Sequence, residues 1–371
     1  MPSRRRRRPR RRSSSVRRGP PTAPWVPGTC TAPSTLRTRT KALRHRPLAR
    51  PPPILGTRAR ARRRLRGGGC MRIVLFGQAA FGKDVFEQLR AAGEDVVGVS
   101  TPRQGARPDP LFEAASQAGV PVIETPMLRQ DDPFQKFVAW QPELLVFAFV
   151  TDIVRKRVLD AATHGAIQYH PSLLPLHRGR TAMNWAIISG ARQTGLTIFW
   201  VDEGIDTGPI ILQRTVEIAD DDSVGTLYFQ HLYPLGVEAL VEGVRLVREG
   251  VAERTPQDET QATYEPPCGP EHAKIDWMQH GRVVGAHIRG CDPQPGAAAS
   301  LRGETVRLFE GRYRPGAPGE PPGTVLAAMG ATVEIAAIGG TISVGRAQRD
   351  GDPKAAASDV LRPGDLLERL P

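Results

Sequence analysis

Cysteine is scarce: Cys30, Cys70, Cys268 and Cys291 are the only four in 371 residues, and none forms a C-x-x-C pair. That excludes a zinc module of the usual spacing and fits a reducing, cytoplasmic compartment. No stretch approaches about 18 consecutive uncharged apolar residues, so a transmembrane helix has no candidate and no membrane partner is expected. Acidic residues are missing altogether from positions 1–70, which hold 22 Lys and Arg. The formal charge of +13 would by itself suggest a nucleic-acid or membrane-surface partner. It misleads, because residues 71–371 carry 29 basic against 38 acidic side chains, a net charge near −9. A hydrophobic content of 40% is enough for real cores and excludes a fully disordered chain.

Residues 1–70 form a tract of Arg, Pro, Ser and Gly with neither helical nor strand periodicity, expected to be disordered. Three accounts fit it. A mitochondrial transit peptide is Arg- and Ser-rich and acid-poor, although Pro51, Pro52 and Pro53 spoil an amphipathic helix. A basic RNA-binding arm fits the charge, with Trp25 as its one aromatic. The third account is that the tract is not part of the natural protein. Gly67, Gly68 and Gly69 are encoded by GGN codons just upstream of the Met71 codon, where a translated ribosome-binding site would read as such a run. Met71 is therefore the expected start.

From Met71 the pattern becomes regular. An apolar run at 72–77 precedes a helical spacing of Phe81, Val85, Phe86 and Leu89, then a second run from Asp95 to Ser100, which is a βαβ unit. Further runs at 143–149 and 165–170 alternate with helical stretches at 109–118 and 153–162. The expected core is α/β: a Rossmann-like parallel sheet with helices on both faces. The first turn, G-Q-A-A-F-G-K-D (77–84), nearly matches a phosphate loop, but Asp84 stands where a magnesium-binding hydroxyl belongs and would repel phosphate. A glycine-permitted strand-to-helix turn is the better reading.

Between 165 and 208 the chemistry becomes legible. Y-H-P-S-L-L-P-L-H-R-G (169–179) sets His170 at a strand end, where open α/β sheets bind ligands. Thirty-six residues on, D-E-G-I-D-T-G (202–208) holds Asp206 in a tight loop between Gly204 and Gly208. A His and an Asp at one sheet edge can move a proton and stabilise the charge it leaves, the minimum for acyl-group chemistry. Gln168, two residues before His170 and so on the same face, is the candidate donor for a developing oxyanion. Taken alone, these residues also fit a satisfied core histidine and an ordinary glycine turn. His164, His170 and His177 lack the spacing of a metal set, and no metal is expected.

The pairing of H-P-S-L-L-P-x-H-R-G with D-x-G-I-D-T-G resembles the folate-dependent formyltransferase family, over Met71 to about Gly311. Methionyl-tRNA formyltransferases share both loops and a C-terminal small β-barrel. The hydrolase domain of 10-formyltetrahydrofolate dehydrogenase is similar over more residues, including Asn184-Trp185, I-F-W at 198–200, and T-L-Y with L-x-P-x-G at 226–236. The resemblance implies that His170 and Asp206 are catalytic and that 10-formyltetrahydrofolate is the formyl donor. It implies that Ser172, Leu173, Leu174, Pro175, Arg178 and Gly179 lie along the folate, with the pterin against Ala148, Phe149, Val150 and Thr151. The transferases place Asn where this chain has Gln168, and the hydrolase branch tends to be apolar there. The expected reaction is formyl transfer to an amine, of the methionyl-tRNA formyltransferase type, with initiator methionyl-tRNA as a possible partner. The alternative is hydrolysis to formate and tetrahydrofolate.

A polar linker follows the helix that ends near residue 250. Beyond it, K-I-D-W (274–277), a helix through Val283, Val284 and Ile288, and short runs at 305–309, 323–328, 332–338 and 341–344 suggest a small OB-like barrel. The expected organisation is an extension at 1–70, a formyltransferase domain at 71–255, and linker plus barrel at 256–371. Residues 263–371 hold 12 Lys/Arg and 13 Asp/Glu, without the net basic footprint that nucleic acid favours.

Overall fold

The computed structural model describes residues 71–371; the expectations for residues 1–70 lie outside the described residues. Strand β1 (Arg72–Gly77) buries Ile73 through Phe76 completely, as expected of a strand covered on both faces. It pairs in parallel with β2 (Asp95–Thr101) and with β4 (Leu144–Ala148). Strand β3 (Val122–Glu124) flanks β2, and β5 (Ala166–His170) flanks β4, both also parallel. Helix α1 (Ala79–Ala91) turns Phe81, Val85, Phe86 and Leu89 to the sheet, the spacing of one helical face. Helix α2 (Pro110–Gln117) joins it there, capped by Asp109 with Pro110 in its first turn. Helices α3 (Asp131–Ala139) and α4 (Lys156–Leu159) cover the other face. There Phe76 meets Phe137 and Phe147 edge-on, with centroids 6.2 and 5.0 Å away. Each such buried ring contributes about 1.5–3 kcal/mol relative to exposure. The long helical stretch expected at 153–162 shrinks to the single turn of α4.

The parallel sheet holds for five strands, and then the direction changes. Helix α5 (Ala182–Ile188) does not cross the sheet to bring the chain back. It packs instead on a helix of the C-terminal domain. The chain re-enters from the end it left: β6 (Gln193–Trp200) runs antiparallel to β5, with β7 (Ile210–Glu217) antiparallel to β6. The order is β3-β2-β1-β4-β5-β6-β7. After α6 (Val224–Leu227), the long α7 (Tyr233–Glu249) lies beside α1. A Cβ on Gly236 would stand 2.6 Å from the Tyr169 ring, so glycine lets α7 press onto β5.

Residues 251–268 carry the chain to the second domain, whose helix α8 (Gly281–Gly290) takes the contact with α5. Asn184 of α5 donates its amide to the carbonyls of Gly290 at 2.8 Å and Gln294 at 3.1 Å. An antiparallel sheet follows: β8 (Ala297–Leu301), β9 (Glu304–Pro315), β10 (Val325–Met329), β11 (Thr332–Ala337) and β12 (Gly340–Arg349). Strand β13 (Ala355–Ala356), helix α9 (Ala357–Val360) and β14 (Leu367–Glu368) complete it. Bonds from Val325 N to Asp365 O and from Leu367 N to Gly323 O, 2.8 and 2.9 Å, draw the two edges together. Strand β8, A-A-A-S-L, escapes the sequence reading because alanine has little strand preference. Among the described residues, no helix is long and apolar enough to cross a membrane.

Candidate active site

Alternation along β5 sends Tyr169 to the face covered by α1 and α7, where its ring lies 4.8 Å from Phe81. Gln168 and His170 point to the opposite face, next to Phe199 and Thr197 of β6. His170 is 4% exposed, and its Nε2 lies 2.9 Å from the carbonyl oxygen of His177. A carbonyl only accepts, so Nε2 carries a proton and donates it. The other ring nitrogen, Nδ1, stands 3.5 Å from Oδ2 of Asp206. A neutral ring thus turns a lone pair toward a carboxylate. A proton on Nδ1, or an N–H or O–H between the two groups, satisfies both acceptors.

Asp206 reaches this place by a route the motif did not show. Because β6 is reversed, the chain leaves Trp200 level with Ile167, near the start of β5 rather than its end. The loop then folds back toward β5, where Asp206 meets Gln168 and His170. Asp202 shapes it, its Oδ1 accepting from Gly204 N at 3.0 Å and Thr207 Oγ1 at 2.7 Å. Gly208 closes it: a Cβ there would lie 1.7 Å from the Trp200 carbonyl oxygen. Asp206 takes a φ of +55°, and its carboxylate accepts from Gly179 N at 2.9 Å and Gln168 Nε2 at 3.3 Å. His170, Asp206 and Gln168 therefore meet. One of the two N–H donors of the Gln168 amide points at the aspartate.

The remaining expected site residues divide by role. The Thr197 hydroxyl donates to Ser172 O and accepts from Leu174 N, and the Ser172 hydroxyl donates to Leu176 O. Ser172 and Leu174 are buried and build the loop, while Leu173 and Pro175 are half-exposed. Beyond Ala148, Phe149 adopts a φ of +60° and is 46% exposed, and Val150 is half-buried. Thr151 ties to Gln78 through its hydroxyl and to Arg180 through its carbonyl. The Arg178 side chain turns to the linker. Its guanidinium is held by the carboxylate of Glu259, at 2.7 and 2.9 Å, and by Oε1 of Gln257, at 2.8 and 3.2 Å. Its hydrogen bonds to Glu259 hold its pKa above the ordinary arginine value. Asp84, the residue that spoiled the phosphate-loop match, accepts from the Tyr233 hydroxyl at 2.6 Å.

Sequence reasoning missed the linker. Thr263 accepts from His177 N and Arg178 N and donates to Pro175 O. Glu265 meets His177 Nδ1 at 3.1 Å, and Trp185 Nε1 donates to Pro266 O at 2.8 Å. A polar run such as T-P-Q-D-E-T-Q-A-T carries no periodic or motif signal that would have placed it over the loops. Among the described residues, no group of three or more His, Cys, Asp or Glu is placed to hold a metal ion.

A family model described as Formyl transferase matches residues 71–244, and one described as Formyl transferase, C-terminal domain, matches residues 268–363. The chain belongs to the formyl transferase family. It is 42% identical over 245 residues to a mitochondrial 10-formyltetrahydrofolate dehydrogenase of Mus musculus, covering 64% of this chain but 26% of that protein. The chain thus spans about a quarter of the length of that relative. It is 38% identical over 302 residues to a methionyl-tRNA formyltransferase of Anaeromyxobacter sp. (strain K), covering 78% of this chain and 96% of that one. HypX from Aquifex aeolicus, solved in complex with tetrahydrofolic acid, shares the fold with a TM-score of 0.60 at 22% identity, over 79% of this chain and 47% of its own. Both domains of this family member are thus accounted for.

Proposed function

We propose that this chain transfers the formyl group of 10-formyltetrahydrofolate to an amine acceptor, in the manner of a methionyl-tRNA formyltransferase. One observation carries the reading: His170, Asp206 and Gln168 converge at β5, with Asp206 3.5 Å from His170 and 3.3 Å from Gln168. The match to a methionyl-tRNA formyltransferase over 96% of its length, both domains included, supports the acceptor. The folate lies against Phe149 to Thr151 and the Ser172–Pro175 loop, with Gly179 beside the carboxylate and Arg178 behind it. The acceptor nitrogen attacks the formyl carbon while its proton passes to Nδ1 of His170, the ring nitrogen left free by the His177 carbonyl. Asp206, 3.5 Å away, stabilises the imidazolium. The second N–H of Gln168 faces the developing oxyanion. The bond from carbon to N10 then breaks, the imidazolium returns its proton to N10, and tetrahydrofolate leaves.

Hydrolysis is the second reading, favoured by the 42% identity to a 10-formyltetrahydrofolate dehydrogenase. Water replaces the amine, and the products are formate and tetrahydrofolate. The test is tetrahydrofolate release by the full chain, followed by absorbance, with and without charged initiator methionyl-tRNA. Release that requires the tRNA, with formyl recovered on methionine, supports the transferase. Formate produced at the same rate without tRNA replaces it with the hydrolase. No release in either case refutes both.

A further inference from the structure

Gln257 lies in the linker, half-buried, and belongs to neither the histidine nor the aspartate motif. Its Nε2 donates to the backbone carbonyls of Asp206 and Gly208, both at 2.8 Å. Its Oε1 accepts from Nε and from a terminal nitrogen of Arg178. The amide has two donors and two acceptor sites, and all four are in use.

The surroundings also fix which way the amide faces. A guanidinium offers only donors, so Oε1 must turn to Arg178 and the NH2 must turn to the aspartate loop. Arg178 cannot rotate away, because Glu259 holds its other edge through two bonds, and the residue is 7% exposed. The thing held is a strained backbone. Asp206 sits at a φ of +55°, a region that non-glycine residues seldom adopt without support. Relaxation there would swing both its carbonyl and its carboxylate, moving Oδ2 away from Nδ1 of His170.

We propose that Gln257 is a positioning residue for the formyl-transfer site, holding the Asp206 loop in its positive-φ conformation from the linker that joins the two domains. The inference rests on the reading of His170 and Asp206 given above. Its substance is that the linker forms part of the catalytic geometry rather than serving only as a connector. Arg178, whose motif position points to the folate, acts here through Gln257 on the aspartate.

Two substitutions in the full chain test it. Gln257→Met keeps length and volume and removes all four hydrogen bonds. Gln257→Glu keeps an acceptor for Arg178 but turns a carboxylate oxygen toward two carbonyls. Both are expected to lower kcat about 10- to 100-fold, the scale of a misplacement near 1 Å. Tetrahydrofolate affinity should change by less than about two-fold, because the residue acts on the aspartate and not on the ligand. The limb of the pH profile that reports the His170–Asp206 pair should also move. Turnover within about two-fold of wild type in both variants overturns the proposal. So does a loss that follows only the folded fraction in thermal melts while the pH profile keeps its shape. If Gln257→Glu fails to fold, the neutral Gln257→Met decides. Asp206→Asn measured alongside separates the two failures. A fully active Asp206→Asn removes the reading of the site, whereas an inactive Asp206→Asn with active Gln257 variants removes the brace alone.

Discussion

Replacing Asp206 by Asn removes a charge while leaving the packing intact, so its effect can be worked from the geometry. Oδ2 accepts from Gly179 N and faces His170, while Oδ1 accepts from Gln168. An Asn keeps its oxygen toward Gly179 and turns its NH2 toward Gln168, whose amide flips to offer Oε1. Every hydrogen bond then has a partner, and the melting temperature should change little. The attraction between the carboxylate and the imidazolium at 3.5 Å is lost. With an effective dielectric of about 20, one such pair is worth about 5 kcal/mol, against about 1 kcal/mol in bulk water. Both side chains are more than nine-tenths buried, which places the loss toward the larger figure. At about 1.4 kcal/mol per tenfold, kcat should fall at least about a thousandfold, since the flipped Gln168 amide also withdraws its N–H from the oxyanion, with tetrahydrofolate binding unchanged. The assay is tetrahydrofolate release at saturating 10-formyltetrahydrofolate, with ligand affinity from tryptophan fluorescence. Adding His170→Ala should cost little more, because the two residues act as a unit. A kcat for Asp206→Asn within about fivefold of wild type, or losses that multiply in the double variant, would refute the reasoning.

Gln168→Met removes the donor to Asp206 and the proposed oxyanion donor at constant length; kcat should fall about a hundredfold with KM little changed, and a drop under about threefold eliminates the oxyanion role. The hydrogen bond from Arg178 holds the Glu259 carboxyl below the ordinary glutamate range. Its stabilising contribution is present above that range, near pH 4.3, and is lost as pH falls through the lowered value. The melting temperature of wild type should therefore exceed that of Glu259→Gln near neutral pH and converge with it in acid; a gap constant down to about pH 3 would exclude the ion pair as its source. Asn184→Ala leaves the carbonyls of Gly290 and Gln294 without their donor at the contact between α5 and α8, and should lower the denaturant midpoint by an amount equivalent to about 2 kcal/mol. An unchanged midpoint would mean that water replaces the amide there.

Much of the fold was legible because local patterns carry it. The runs at 72–77 and 95–100 and the spacing of Phe81, Val85 and Leu89 encode which face each element buries, and the first βαβ unit follows. Alternation alone put Gln168 and His170 on one face, and Gly204 and Gly208 alone marked a tight turn around Asp206. What the sequence could not show were the outcomes of packing between distant segments. Strand β6 runs antiparallel to β5, and α5 between them docks on α8, a partner a hundred positions away. That reversal decides from which side Asp206 approaches His170. The direction of the Arg178 side chain depends on Gln257 and Glu259, roughly eighty residues on, in a stretch whose polar composition reads only as linker. Periodicity and turn chemistry therefore determined most of the elements and marked the histidine, the aspartate and the glutamine as candidates. Only tertiary structure set the 3.5 Å between His170 and Asp206 and the linker that braces it, because hydrogen bonds between remote segments form where packing places them and leave no local trace in the sequence.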